Sequence, residues 1–336
     1  MDIIFEEINE TGIIKLNRPK ALNALNFDMS EKFSHQLNEW KKNDKIKQVL
    51  LIGEGKHFCA GGDVKSLSLA KKTSSLKKKF FLSEYKLNYQ ISNFPKPYMS
   101  LWSGVVMGGG IGLSLYGNFR IVTDTTKIAM PETAIGFFPD VGGSYFLSRM
   151  KNNFGVFLGL TGHVINSNII LNLGLGTHYC PNDKSKDLID QYITTGKFKK
   201  IQSPKTSGNE LLESFYLIYN CFEGNINNIF EKLGQNKDEQ SKKYLEIMEK
   251  KCPMSLTVTA ELLERGKNKS LKECLEMEYQ LSQNMVYRDD FDEGIDAVLV
   301  SKHHKPEWHP SSINDINKND VNNLFEFDEK KLKLQL

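Results

Sequence analysis

Apolar residues in the first half of the chain follow two alternating periods. Four short β-rich runs lie beside glycines or other turn residues and predict strands: "GIIKLNR" (12–18), "QVLLIGEG" (48–55), "YMSLWSGVV" (98–106) and "FRIVTD" (119–124). Between them, residues 30–40 and 77–93 carry apolar positions at helical spacing. Strands separated by helices predict an α/β domain. Over residues 184–210 the pattern dissolves into polar sequence such as "TTGKFKKIQSPKTSGNE". A boundary is expected there, dividing a core over 1–200 from a second region over 201–336. Beyond residue 211 the period is helical, in "ESFYLIYNCF", "KYLEIMEKKC" and "LKECLEMEYQLSQNMV".

Residues 98–119 carry no charge, which raises the question of a membrane span. Six glycines and three serines interrupt the stretch, so a buried strand, turn and helix explain it better. Composition agrees: of 336 residues, 40% are hydrophobic and 25% charged, as in water-soluble globular proteins. A net charge of +3 is too mild for nucleic acid to be the main partner. Five scattered cysteines form no CxxC and read as reduced thiols of a cytosol-like compartment. The acidic start "MDIIFEEINE", with Arg18 the first arginine, argues against a secretory or transit segment. The expectation is cytoplasmic, or the mitochondrial matrix for a processed eukaryotic chain.

Several familiar chemistries fail on inspection. "GGGIGL" (108–113) lacks the third glycine of a dinucleotide fingerprint, and "GEGK" (53–56) lacks phosphate-loop spacing. No GxSxG surrounds Ser114 or Ser144. His303, His304 and His309 have no second ligand set and read as surface residues, so no metal is expected. Two glycine-rich stretches remain, "HFCAGGDVKSL" (57–67) and "GVVMGGGIGL" (104–113), each following a strand and opening a helix. Either they are tight turns, or their free N–H groups form an oxyanion hole with one donor from each loop.

Three carboxylates stand in apolar surroundings. Glu132 and Asp140 are the only charges in "MPETAIGFFPDVGG" (130–143), and each follows a proline. Proline then acid also suits a helix start, and Asp140 could cap the helix predicted in "VGGSYFLSRM". Glu84 shares a helical face with Phe80, Leu87 and Ile91, as either a helix-edge residue reaching solvent or a buried acid. Buried carboxyls gain raised pKa values, a usual route to a general acid or base.

Together "NRPKALNAL", "FCAGGDVKSL", "GGGIGLSL" and "MPETAIGFFPDVGGSYFL" resemble the crotonase (enoyl-CoA hydratase/isomerase) superfamily. "CPMSLTVTAELL", "EMEYQLSQNMV" and "DFDEGIDAVLVSKHHKPEWHP" extend the resemblance through the C-terminal region, toward the branch that hydrolyses short 3-hydroxyacyl-CoA thioesters. The resemblance implies an α/β fold, a crotonase-like spiral of ββα units with a helical C-terminal region that often mediates homo-oligomers. It implies an acyl-CoA substrate, 3-hydroxyisobutyryl-CoA of valine breakdown foremost, with CoA a substrate component and product and no separate cofactor. By matching positions, Gly62 and Gly109 supply the oxyanion-hole N–H groups and Lys65 binds CoA. Hydratases of the superfamily use two glutamates; one matches Glu132, but the other falls where this chain has Gly112. The hydrolase pattern instead pairs Glu132 with Asp140 as catalytic residues, and Glu84 joins them in binding substrate. Lys56, Lys65 and Lys77 to Lys79 are candidates to meet the CoA phosphates, with a solvated helix face the expected role of the last three.

Overall fold

The computed structural model describes residues 1–70, 74–201, 214–326, 334 and 336. The chain groups into two compact units, each assembled from three separated segments. A boundary at 200/201 adjoins residues 202–213, which lie outside the described residues.

The first unit comprises Met1–Asp63, Lys86–Ala129 and Val164–Ser207. It holds all the described strands: β1 (Ile3–Ile8), β2 (Thr11–Leu16), β3 (Gln48–Gly53), β4 (Tyr98–Trp102), β5 (Val105–Met107), β6 (Phe119–Val122), β7 (Lys127–Ala129), β8 (Ile165–Asn166) and β9 (His178–Tyr179). Six form one sheet in the order β1-β2-β3-β4-β6-β9, antiparallel at β1/β2 and parallel elsewhere. A smaller sheet has the order β5-β7-β8. Strand β4 is buried at every position, as expected for an unbroken apolar run in the middle of a parallel sheet. Leu50, Met99, Leu101 and Ile121 pack there with Cys180, Leu188 and Tyr192.

The single strand expected over 98–106 is two strands in different sheets. Gly104 makes the break: its φ is +55°, and a Cβ on it would stand 2.4 Å from the Lys56 carbonyl oxygen. Strand β1 lies outside the four expected runs, in the acidic stretch "MDIIFEEINE", where Ile3, Ile4 and Ile8 are β-branched. Its six residues pair in register with β2, from Ile3 opposite Leu16 to Ile8 opposite Thr11.

The second unit comprises Val64–Tyr85, Met130–His163 and Gly208–Leu336 and is helical among its described residues. Its helices include Phe154–Thr161, Glu239–Glu249, Pro253–Gly266 and Leu271–Met285. The helix Leu271–Met285 begins on a reciprocal cap: Ser270 accepts from the Glu273 N–H, and the Ser270 N–H donates to the Glu273 carboxylate. The helix Leu76–Ser92, whose portion up to Tyr85 belongs to this unit, is anchored at its start by Lys77. Contrary to the expectation of a solvated face, Lys77 is fully buried. Its ammonium donates to the Val286 carbonyl at 2.9 Å and lies 3.4 Å from Asp292. Lys77→Ala leaves that carbonyl unpaired and should cost about 2 kcal/mol. A urea midpoint within a few tenths of a molar of the parent would show the anchor to be dispensable.

Candidate active site

In the first unit the two glycine loops lie side by side. Cys59 N–H donates to Val105 O at 3.1 Å, and Met107 N–H to Cys59 O at 3.0 Å. A Cβ on Gly110 would stand 2.5 Å from the Cys59 carbonyl oxygen, so the approach requires glycine. Leu25 N–H donates to Gly61 O and Asp63 N–H to Leu25 O, which turns the Gly62 N–H away from Leu25. Gly109 opens the short helix Gly109–Gly112, where a first-turn N–H has no partner within the helix. The expected pair, Gly62 and Gly109, is thus brought together on adjoining loops, each with its donor outside the local backbone pairing.

In the second unit the three acids are buried, and neither bland alternative for Asp140 or Glu84 survives. Glu84 is 2% exposed, on a stripe with Phe80, and its Oε1 has no hydrogen-bond partner. Glu132 opens the 3-10 turn Glu132–Ile135 after Pro131 and leaves Oε2 unpartnered. The side chain of Asp140 caps nothing either, because the short helix Gly143–Phe146 starts after Gly142 without a local side-chain cap. Its Oδ2 instead accepts from the Tyr85 hydroxyl at 2.7 Å. Aromatic rings pack around this region: Phe81 stacks on Phe137 at 5.2 Å, and Tyr85 meets Tyr279 edge-on at 6.4 Å.

Burial and mutual repulsion govern how these acids titrate. Glu84 is held well above the ordinary carboxylate range by burial first, then by the charges of Asp140 and Glu132. Glu132 is raised by burial and by Asp140, with Lys251 pulling the other way. Burial also pushes Asp140 up, to about 7, although the Tyr85 hydroxyl favours its ionised form. One cation answers the cluster at a distance: Lys251 feels Glu132, while burial lowers its own pKa. A group of buried carboxyls raised above the ordinary range suits proton transfer and a nucleophile of tuned strength.

Of the remaining candidates, Lys65 is exposed on the helix Val64–Ser68, directly after the first glycine loop. His303, His304 and His309 are exposed, and among the described residues no acid, histidine or cysteine group could hold a metal ion. Among the described residues no helix is long and apolar enough to cross a membrane. Sequence reasoning missed Tyr85 and Glu278. Tyr85 adjoins Glu84, and Glu278 lies on an apolar helical face with Cys274, Leu275 and Leu281, the signal that singled out Glu84.

Comparison with known proteins points the same way. A family model described as enoyl-CoA hydratase/isomerase matches residues 11–325. The 3-hydroxyisobutyryl-CoA hydrolase, mitochondrial, of Danio rerio is 38% identical over 99% of this chain and 92% of its own length. The Homo sapiens protein of that name is 37% identical over 96% of this chain and 88% of its own. Among solved structures, a carnitinyl-CoA dehydratase from Mycobacterium thermoresistibile superposes with a TM-score of 0.93 at 34% identity, covering 99% of both chains. The architecture is therefore the crotonase-like α/β fold with a helical C-terminal region that the motifs imply. From its glycine loops to its C-terminal helices, this chain belongs to the enoyl-CoA hydratase/isomerase family.

Proposed function

We propose that this chain hydrolyses 3-hydroxyisobutyryl-CoA to 3-hydroxyisobutyrate and CoA, a step of valine breakdown. The observation that carries this reading is Asp140: a buried carboxyl that caps no helix, held by Tyr85 and electrostatically joined to Glu132. The full-length relatives named 3-hydroxyisobutyryl-CoA hydrolase support it. The dehydratase similarity favours a different chemistry, but moving water on or off a double bond calls for two acid–base groups about one water. Where a hydratase of the superfamily places the first of its glutamates, this chain has Gly112.

In the proposed reaction the N–H groups of Gly62 and Gly109 polarise the thioester carbonyl. A Glu132 carboxylate oxygen attacks the carbonyl carbon, the C–S bond breaks, and CoA leaves as a thiolate that takes up a proton. Water then cleaves the resulting anhydride, releasing the hydroxy acid and restoring Glu132. Asp140 binds the substrate's 3-hydroxyl or passes a proton, and Glu84 holds the same polar end. Lys65 meets the CoA phosphates. CoA is part of the substrate and a product, with no further cofactor. The curated relatives carry "mitochondrial" in their names, and the matrix or the cytosol is the compartment of this reading.

A thiol-release assay with product identification tests it. Incubation with 3-hydroxyisobutyryl-CoA should liberate CoA and the free hydroxy acid, and enoyl-CoA esters should release little thiol. Loss of enoyl absorbance without thiol release would make the chain a hydratase instead. Binding without either signal would make it a non-catalytic acyl-CoA carrier.

A further inference from the structure

The loop that carries Asp140 is held from a distance, by a carboxylate the reaction does not use. Glu278, on the helix Leu271–Met285, is fully buried. Its Oε2 accepts from the Gly142 N–H at 2.7 Å, and its Oε1 from the Ser144 N–H at 2.8 Å and the Ser144 hydroxyl at 2.5 Å. All three partners donate, and a carboxylate is the side chain that accepts from all of them at once. These bonds satisfy the start of the helix Gly143–Phe146, which has no local side-chain cap. They also fix the turn between Asp140 and that helix, where Val141 and Gly142 both hold positive φ, +52° and +85°. A β-branched residue at such a φ is strained and persists only where its surroundings over-determine it.

We infer that Glu278 is the positioning residue for Asp140, clamping the turn 141–144 so that the Asp140 carboxyl is presented to the Tyr85 hydroxyl and to substrate. The inference rests on the reading of Asp140 given above. Two buried acids are thereby set near one another. Glu278 itself is pushed up to about 8 by burial, against the pull of its three hydrogen bonds, with Asp140 adding to the rise. Asp140 faces Tyr85 and Glu84 from the helix Leu76–Ser92, and Glu132 from its turn. Glu278 faces Asp140, Tyr85 and the Cys274 thiol.

The test is kinetic, with 3-hydroxyisobutyryl-CoA as substrate and thiol release as readout. Glu278→Gln keeps the shape but turns a donor toward a donor. It should lower kcat by roughly 10- to 100-fold, the scale of a small misplacement at a reacting centre, with KM changed less than about threefold. In the Asp140→Asn background, Glu278→Gln should cost no further kcat, because the clamp then has nothing to position. Ser144→Ala removes one of the three bonds and serves if Glu278→Gln does not fold. Its smaller loss should likewise vanish in the Asp140→Asn background. Losses that multiply in the double variants, or parental kcat in folded Glu278→Gln, would overturn the clamp. Parental turnover in Asp140→Asn alone would instead overturn the reading of Asp140, and the clamp with it.

Discussion

Glu132→Gln should lower kcat for thioester cleavage by at least ~10³-fold while acyl-CoA binding survives. The amide matches the carboxylate in shape but offers neither a nucleophilic oxygen nor a proton acceptor, and loss of either function costs on this scale. Binding should persist because the substitution removes a group whose charge is disfavoured by burial and by Asp140. The signature is a collapse of kcat with KM or Kd within a few-fold of the parent. Turnover near the parental rate would remove Glu132 from the reaction. A single turnover in heavy-oxygen water separates the two routes open to an essential Glu132. Label in its side chain marks the anhydride, and label only in the hydroxy acid marks water activated by the carboxylate.

The second large effect concerns stability and pH. The Asp140 carboxyl is raised from an ordinary 3.8 to about 7, chiefly by burial. A carboxyl with a higher pKa in the fold than in the unfolded chain binds extra protons in the fold between those two values. Stability therefore falls as pH rises through that window, from about 4 to about 7, and the full penalty applies above it. Asp140→Asn deletes the titration and keeps an oxygen to accept from the Tyr85 hydroxyl. Relative to the parent, the variant should gain on the order of 2–4 kcal/mol between pH 4.5 and pH 8, read as diverging denaturant midpoints. The same variant should lose about 100-fold or more in kcat. Parallel midpoints at the two pH values would show that Asp140 is not held protonated by the fold. A more stable, less active variant is the expected mark of an acid kept in an apolar site for its chemistry.

The same physics explains what could be read without coordinates. Hydrophobic period is a local property of a chain, so β2, β3, β6 and the helices Phe27–Lys42 and Leu76–Ser92 stand near their expected places. Gly104, at φ +55°, splits one apolar run between two sheets, and the letters give its freedom but not its φ. Lys77 read as solvent-facing because charge usually is, yet a carbonyl from Val286, 209 positions away, satisfies it in the interior.

For the site the division is sharper. Sequence alone singled out Glu84, Glu132 and Asp140, because an acid among apolar neighbours is conspicuous at close range, and the family motifs named Gly62, Gly109 and Lys65. It left open whether Asp140 capped a helix or served chemistry. Only the tertiary structure decided that, by supplying the cap from Glu278 and a hydroxyl from Tyr85 in place of a solvent shell. Partners 55 and 136 residues apart in the chain meet through packing, and packing sets both the hydrogen bonds and the low-dielectric surroundings that move a pKa.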